Sequence, residues 1–156
     1  VRADPGLGLV SPRLRWADGS PQATGWRLRA PWTLAAERFG LARELAPDPG
    51  GVTEVGWLMG CFLLGSRELI EDVEGFDRAF WFHGTDLELC AKVGRTGRKV
   101  ARLEALELVH IGHRAWDAAR RARVRQAQRM WMLRDLGHVT AAVYGAWLRL
   151  AGRLGR

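Results

Sequence analysis

Three side chains of this chain are suited to chemistry by type and position: Asp86, His110 and Arg114. Asp86 follows Thr85 at the head of a run in which Leu87, Cys90, Ala91 and Gly94 recur at helical spacing. A carboxylate there can take a proton from a hydroxyl, and the free amides and macrodipole of a helix start favour its ionised form, which makes a weak but reliably charged base. Spacing alone favours a plainer role, that of an aspartate steadying the helix start. Asp86 and Glu88 stand two apart and point to different faces, so they are not the carboxyl pair across a cleft that glycoside hydrolysis uses. His110 can offer a ring nitrogen to Mn²⁺ or Mg²⁺, although Mg²⁺ prefers oxygen and a lone histidine is more often structural. His113 is the substitute candidate. Arg114 has the guanidinium fork that fits phosphate oxygens, or else begins a solvated basic tail. Trp57 offers an apolar platform to a ligand or to the core at equal odds, and Gly60 lets a backbone approach closely.

The elements that must position these residues follow from periodicity and turn chemistry. Leu7 to Ser11 and Leu14 to Trp16 predict short strands, closed by the turn Ala17-Asp18-Gly19-Ser20. A helix is expected from Pro31 or Trp32 to about Arg43, and Ala46-Pro47-Asp48-Pro49-Gly50-Gly51 cannot continue it. Strands follow over Val52 to Trp57 and Cys61 to Leu64, the second continuously apolar and so expected to be buried on both faces. Ser66 can cap a short helix over Arg67 to Asp72, which Gly75 ends. Asp77 reads as a turn residue. Thr85 and Glu88 have the spacing of a capping box for a helix from Asp86 to about Arg95, stopped by Gly97. Strands near Lys99 to Leu103 and Leu108 to His110 complete the sheet.

The tail predicts a helix over Trp116 to Leu136, with Gly137 as its stop. Beyond it Val139, Ala142, Val143, Ala146, Trp147, Leu150, Ala151 and Leu154 form an apolar stripe, with Arg149, Arg153 and Arg156 off it. That segment is amphipathic and too short to span a bilayer.

With 156 residues, 47% hydrophobic content and eight tryptophans, the chain has one-domain length and enough apolar surface for a core. Cys61 and Cys90 each lie in an apolar run without C-x-x-C spacing, which points to buried, reduced thiols in a cytoplasmic protein. Residues 1–109 carry 14 basic against 15 acidic side chains, whereas residues 110–156 carry 10 Arg against 2 Asp. The basicity belongs to the tail, whose partner should be something anionic: a membrane surface, a nucleic acid, or only solvent. Nucleic acid is disfavoured because no aromatic interleaving or known binding fold accompanies the arginines.

Four segments occur in a telling order: Val55-Gly56-Trp57-Leu58-Met59-Gly60-Cys61-Phe62-Leu63-Leu64, Glu74-Gly75-Phe76-Asp77, Gly84-Thr85-Asp86-Leu87-Glu88-Leu89-Cys90 and Val109-His110-Ile111-Gly112-His113-Arg114. This order resembles the second half of a family 2 glycosyltransferase, of the rhamnosyltransferase-like group with a GT-A fold. Upstream, Leu9-Val10-Ser11-Pro12-Arg13-Leu14 and Asp18-Gly19-Ser20-Pro21-Gln22 resemble the family's Gly-Pro-x-Leu and Asp-Gly-Ser-x-Gln segments. The resemblance implies that Asp86 is the catalytic base, that Trp57, Gly60, Thr85 and Arg114 contact substrate, and that His110 completes a Mg²⁺ or Mn²⁺ site. The family's Asp-x-Asp metal motif does not occur here, so the main ligands are expected upstream of this chain. Two departures stand out: Thr85 replaces the Glu of the family's Glu-Asp pair, and Gly56 stands where Asp is usual.

The expected fold is α/β, the C-terminal part of a GT-A-like, Rossmann-like domain over residues 1–114, followed by a basic amphipathic helical tail over residues 115–156. The expected function is that of an inverting glycosyltransferase fragment, inactive by itself, moving a sugar from a nucleotide-sugar donor to a glycan or lipid-linked glycan acceptor in cell-envelope polysaccharide synthesis. The expected location is cytoplasmic, with the tail a candidate for peripheral attachment to the inner face of the plasma membrane. The rivals are a non-catalytic membrane- or nucleic-acid-binding basic module and a degenerate transferase remnant.

Overall fold

The computed structural model describes residues 4–27, 45–80, 83–112, 118–135 and 137–154. The helix expected from Pro31 to Arg43 lies outside them, as do His113 and Arg114. The chain divides into two compact units, one of residues 1–28, 44–81 and 85–115 and the other of 29–43, 82–84 and 116–156.

The first unit is built on two long strands, β1 (Leu7–Trp16) and β7 (Lys99–His110), which pair in parallel. β1 is central. Its partners on the other edge are β6 (Leu64–Gly65) and β2 (Pro21–Gln22), both antiparallel. β4 (Val52–Val55) lies antiparallel along the start of β7, giving a mixed sheet. The first six residues of β1 are all buried, as a strand covered on both faces requires.

Two pairs of expected strands are in fact single strands. β1 runs straight through Pro12, and β7 runs through the gap expected between Leu103 and Leu108. The two departures share a cause. Pro12 has no N–H to donate, and the ladder slips there from Pro12↔Leu103 to Arg13↔Glu107, leaving Glu104, Ala105 and Leu106 as an irregularity in β7. The Glu104 N–H is taken up by the carbonyl of Gly51 at 2.9 Å. The polar interruption legible in sequence is therefore a bulge rather than a break.

β3 (Gly25–Trp26) and β5 (Trp57–Leu58) form a separate two-stranded ladder. The expected strand from Cys61 to Leu64 is not formed: only Leu64 and Gly65 pair, and Cys61 and Phe62 are exposed rather than buried on both faces. An apolar run reports hydrophobicity, not which side of the sheet will be covered. Cys90 is buried as expected, and burial pushes its thiol up to about 12.

Ser66 caps α1 (Arg67–Asp72) as expected, its hydroxyl accepting from the Leu69 N–H at 3.1 Å. Gly75 accepts the left-handed turn after it, at φ 55°. A short 3-10 turn covers Arg78–Phe80. α2 (Thr85–Arg95) then packs its Leu89, Cys90 and Val93 in one core cluster with Leu9, Val55, Leu58, Leu69 and Val100.

The second unit contains α3 (Ala118–Asp135) and α4 (His138–Leu154), joined at Gly137. Ala127, Trp131 and Met132 of α3 and Ala141 and Tyr144 of α4 are buried, and the Tyr144 hydroxyl donates to Gln128 Oε1 at 2.9 Å. Among the described residues no helix is long and apolar enough to cross a membrane.

Candidate active site

The site begins with β3 and β5. Gly56 N–H donates to the Trp26 carbonyl at 2.8 Å and Met59 N–H to that of Thr24 at 2.9 Å. This short ladder sets Trp57 face to face with Trp26, with ring centroids 4.3 Å apart and planes at 26°. Offset stacking of this kind fixes an indole. The chain then turns, and the Gly60 N–H donates to Asp86 Oδ2 at 3.0 Å.

Gly60 is required for that contact. A Cβ at position 60 would lie 2.9 Å from Asp86 Cβ, closer than real Cβ atoms come, and 3.2 Å from Oδ2, a tight contact. The close approach expected of Gly60 is thus made to Asp86 itself. The other carboxylate oxygen, Oδ1, accepts from the Leu87 N–H at 2.9 Å in the first turn of α2. Trp57, Gly60 and Asp86 come together, and Thr85, half-buried, is the neighbouring residue of α2.

The electrostatics reverse one expectation. Burial is the dominant influence on Asp86 and raises its pKa above the ordinary 3.8. The amides of Leu87 and Gly60 and the Trp57 indole oppose the rise without cancelling it, the indole contact being looser than the two backbone bonds. A helix start was expected to make Asp86 a weak, always-charged base; desolvation makes it a more basic carboxylate. That suits proton abstraction from a hydroxyl better.

Glu88 does something other than catalysis. It is fully buried, with Oε2 3.4 Å from Lys92 Nζ, and Lys92 in turn donates to the Gly75 carbonyl at 2.7 Å. This ties the body of α2 to the Glu74-to-Asp77 turn and holds the helix start that carries Asp86.

His110 ends β7, its ring stacked on Trp16 at 6.0 Å between centroids. Its Nδ1 lies 3.0 Å from Gln22 Oε1, while Gln22 Nε2 donates to Met59 Sδ at 3.3 Å. With the Gln22 amide so oriented, Nδ1 is the donor to Gln22 Oε1, and Nε2 is the ring nitrogen outside that bond. Gly112 folds over the same ring: a Cβ there would fall 2.6 Å from Nε2. Gln22, 5% exposed, is the residue that sequence reasoning missed. The signal was present, since it closes the Asp18-Gly19-Ser20-Pro21-Gln22 segment, but nothing in that segment reveals a partner 88 positions away.

The described residues do not by themselves fit a divalent ion. No group of three His, Cys, Asp or Glu side chains among them could hold one, and His110 alone is an insufficient donor set. A cavity of about 260 Å³ reaches Gln22, Thr24 and Arg13 rather than Asp86. The buried Arg102 that lines it is already engaged by Glu104 at 2.8 Å and by the Leu45 carbonyl at 2.9 Å.

Comparison with known proteins gives a distant relationship. The chain is 26% identical over 133 residues to N-acetylglucosaminyl-diphospho-decaprenol L-rhamnosyltransferase of Mycobacterium tuberculosis, in two strains. The chain is a distant relative of a glycosyltransferase. The alignment covers 74% of this chain and 40% of the relative, so the chain spans less than half the length of the proteins it matches. No family model matches it. The mixed α/β sheet is consistent with a Rossmann-like glycosyltransferase domain.

Proposed function

We propose that this chain carries the acceptor-side chemistry of an inverting glycosyltransferase that uses a nucleotide-sugar donor and a lipid-linked glycan acceptor. One observation carries the reading: a carboxylate at a helix start, made more basic by burial and held by the Gly60 amide beside the Trp57 indole. The matched relative's name, which specifies a diphospho-decaprenol-linked sugar and a rhamnosyl transfer, supports a lipid-linked acceptor and a hexosyl group. In the proposed step the acceptor hydroxyl oxygen attacks the anomeric carbon, whose bond to the donor diphosphate breaks. The hydroxyl proton passes to Asp86, each of whose oxygens keeps a lone pair beyond its amide partner. The diphosphate leaves with the bonding electrons, and the anomeric centre inverts.

Trp57 supplies an apolar face for the acceptor sugar, and Thr85 stands where a polar contact to its hydroxyls would be made. Arg114 is proposed for the donor diphosphate on motif position alone. The test is Asp86→Asn in the longest polypeptide that carries this chain, followed by release of nucleoside diphosphate. The rate should fall by roughly a hundredfold or more, the scale for a lost general base, with folding intact. An unchanged rate removes Asp86 from the mechanism. No release from the unsubstituted protein, across a panel of nucleotide sugars and acceptors, favours the remnant reading suggested by Thr85 and Gly56.

A further inference from the structure

The α3–α4 hairpin presents a surface that its own packing does not use. Ala141 and Tyr144, 1% and 3% exposed, turn toward the hairpin interior, where Trp131 and Met132 are also buried. Val139 and Val143, four residues apart, are 79% and 57% exposed, and Ala142 and Ala146 are exposed beside them. At 100° per residue this row falls on the face of α4 opposite Ala141 and Tyr144. Trp147, Leu150, Ala151 and Leu154 of the expected stripe lie outside the residues whose side chains are described. The segment that carries the row is strongly cationic. Arg123, Arg125, Arg129 and Arg149 are exposed, and residues 110–156 hold ten arginines against two aspartates.

We propose that this outward row of α4 docks on an anionic lipid bilayer, with Val139 and Val143 entering the headgroup–acyl boundary and the arginines facing lipid phosphates. The inference rests on the hairpin alone and does not depend on the glycosyl-transfer reading. Charge complementarity selects an anionic partner, and the aliphatic row selects lipid among anionic partners. Valine and alanine can neither stack on bases nor read their edges, whereas they gain by leaving water at an interface. A surface with both features should bind in two parts, one screened by salt and one not.

Co-sedimentation of the whole chain with phosphatidylcholine vesicles, with and without phosphatidylglycerol, tests this at low and high salt. Binding is expected only with the anionic lipid, reduced but not abolished by salt. The neutral double substitution Val139→Ser/Val143→Ser should weaken the salt-resistant part by roughly tenfold or more while leaving helical circular dichroism unchanged. Three results would each overturn the proposal: no binding to anionic vesicles, equal binding by the double variant, or tighter binding of both proteins to duplex nucleic acid than to vesicles.

Discussion

The sheet unit and the helical hairpin use charge in opposite ways. In the sheet unit charges are nearly balanced, and the prominent ones are consumed by one another. Arg15 meets Glu107 through two bonds of 2.6 and 3.0 Å, raising its own pKa and lowering that of Glu107; Arg102 meets Glu104, and Glu88 meets Lys92. Asp86 stands apart from these pairs, a carboxylate held by backbone amides and made basic by burial. Residues 110–156, which include the hairpin, hold ten arginines against two aspartates, too few acids to pair them within the segment. The same residue types therefore serve as internal fasteners in one region and as an outward field in the other.

Removing one charge from each region sharpens the contrast. Lys92→Ala takes away the cation beside a fully buried Glu88 and the tie to Gly75, and should lower stability by about 3 kcal/mol in denaturant unfolding. Arg125→Ala, on the exposed side of α3, should leave the unfolding midpoint where it was. Equal losses from the two would erase the distinction.

Gly60→Ala probes the fit rather than the charge. The new Cβ must displace Asp86 or its own backbone, so stability should fall by roughly 1–3 kcal/mol. Turnover should fall further than Asp86 displacement alone would cost in folding, because a misplaced base loses its geometry. Full activity in Gly60→Ala would show that the Gly60–Asp86 contact does not position the base.

The smallest expected effect is in pH dependence. The folded state raises the pKa of Asp86, so its contribution to stability is fully present below the unfolded value and is lost as pH rises through the folded value. Asp86→Asn should remove that dependence and be no less stable than the parent at neutral pH. The acid limb of the rate profile should lie above the ordinary aspartate range. Trp57→Phe, which deletes an indole that opposes the rise, should move it higher still. A limb unmoved or lowered by Trp57→Phe would show that the indole does not help hold the carboxylate charged.

Local signals determined much of this protein from sequence alone. Ser66 before a short helix, the helix around Asp86, the stop at Gly137 and the polarised charge are each written within a few residues, because caps, turns and composition act over one or two helical turns. The order of motifs located Trp57, Gly60 and Asp86 without showing that they touch. Only the tertiary structure could bring Gly60 against a carboxylate 26 positions on, or Gln22 against His110 across 88. It also decided matters of environment that residue type leaves open: that Cys61 is exposed, that β7 is bulged rather than broken, and that Asp86 is more basic at a helix start that should have acidified it. Burial is a property of what the rest of the chain does around a residue, and for Asp86 its desolvation outweighs the local amides that sequence made visible.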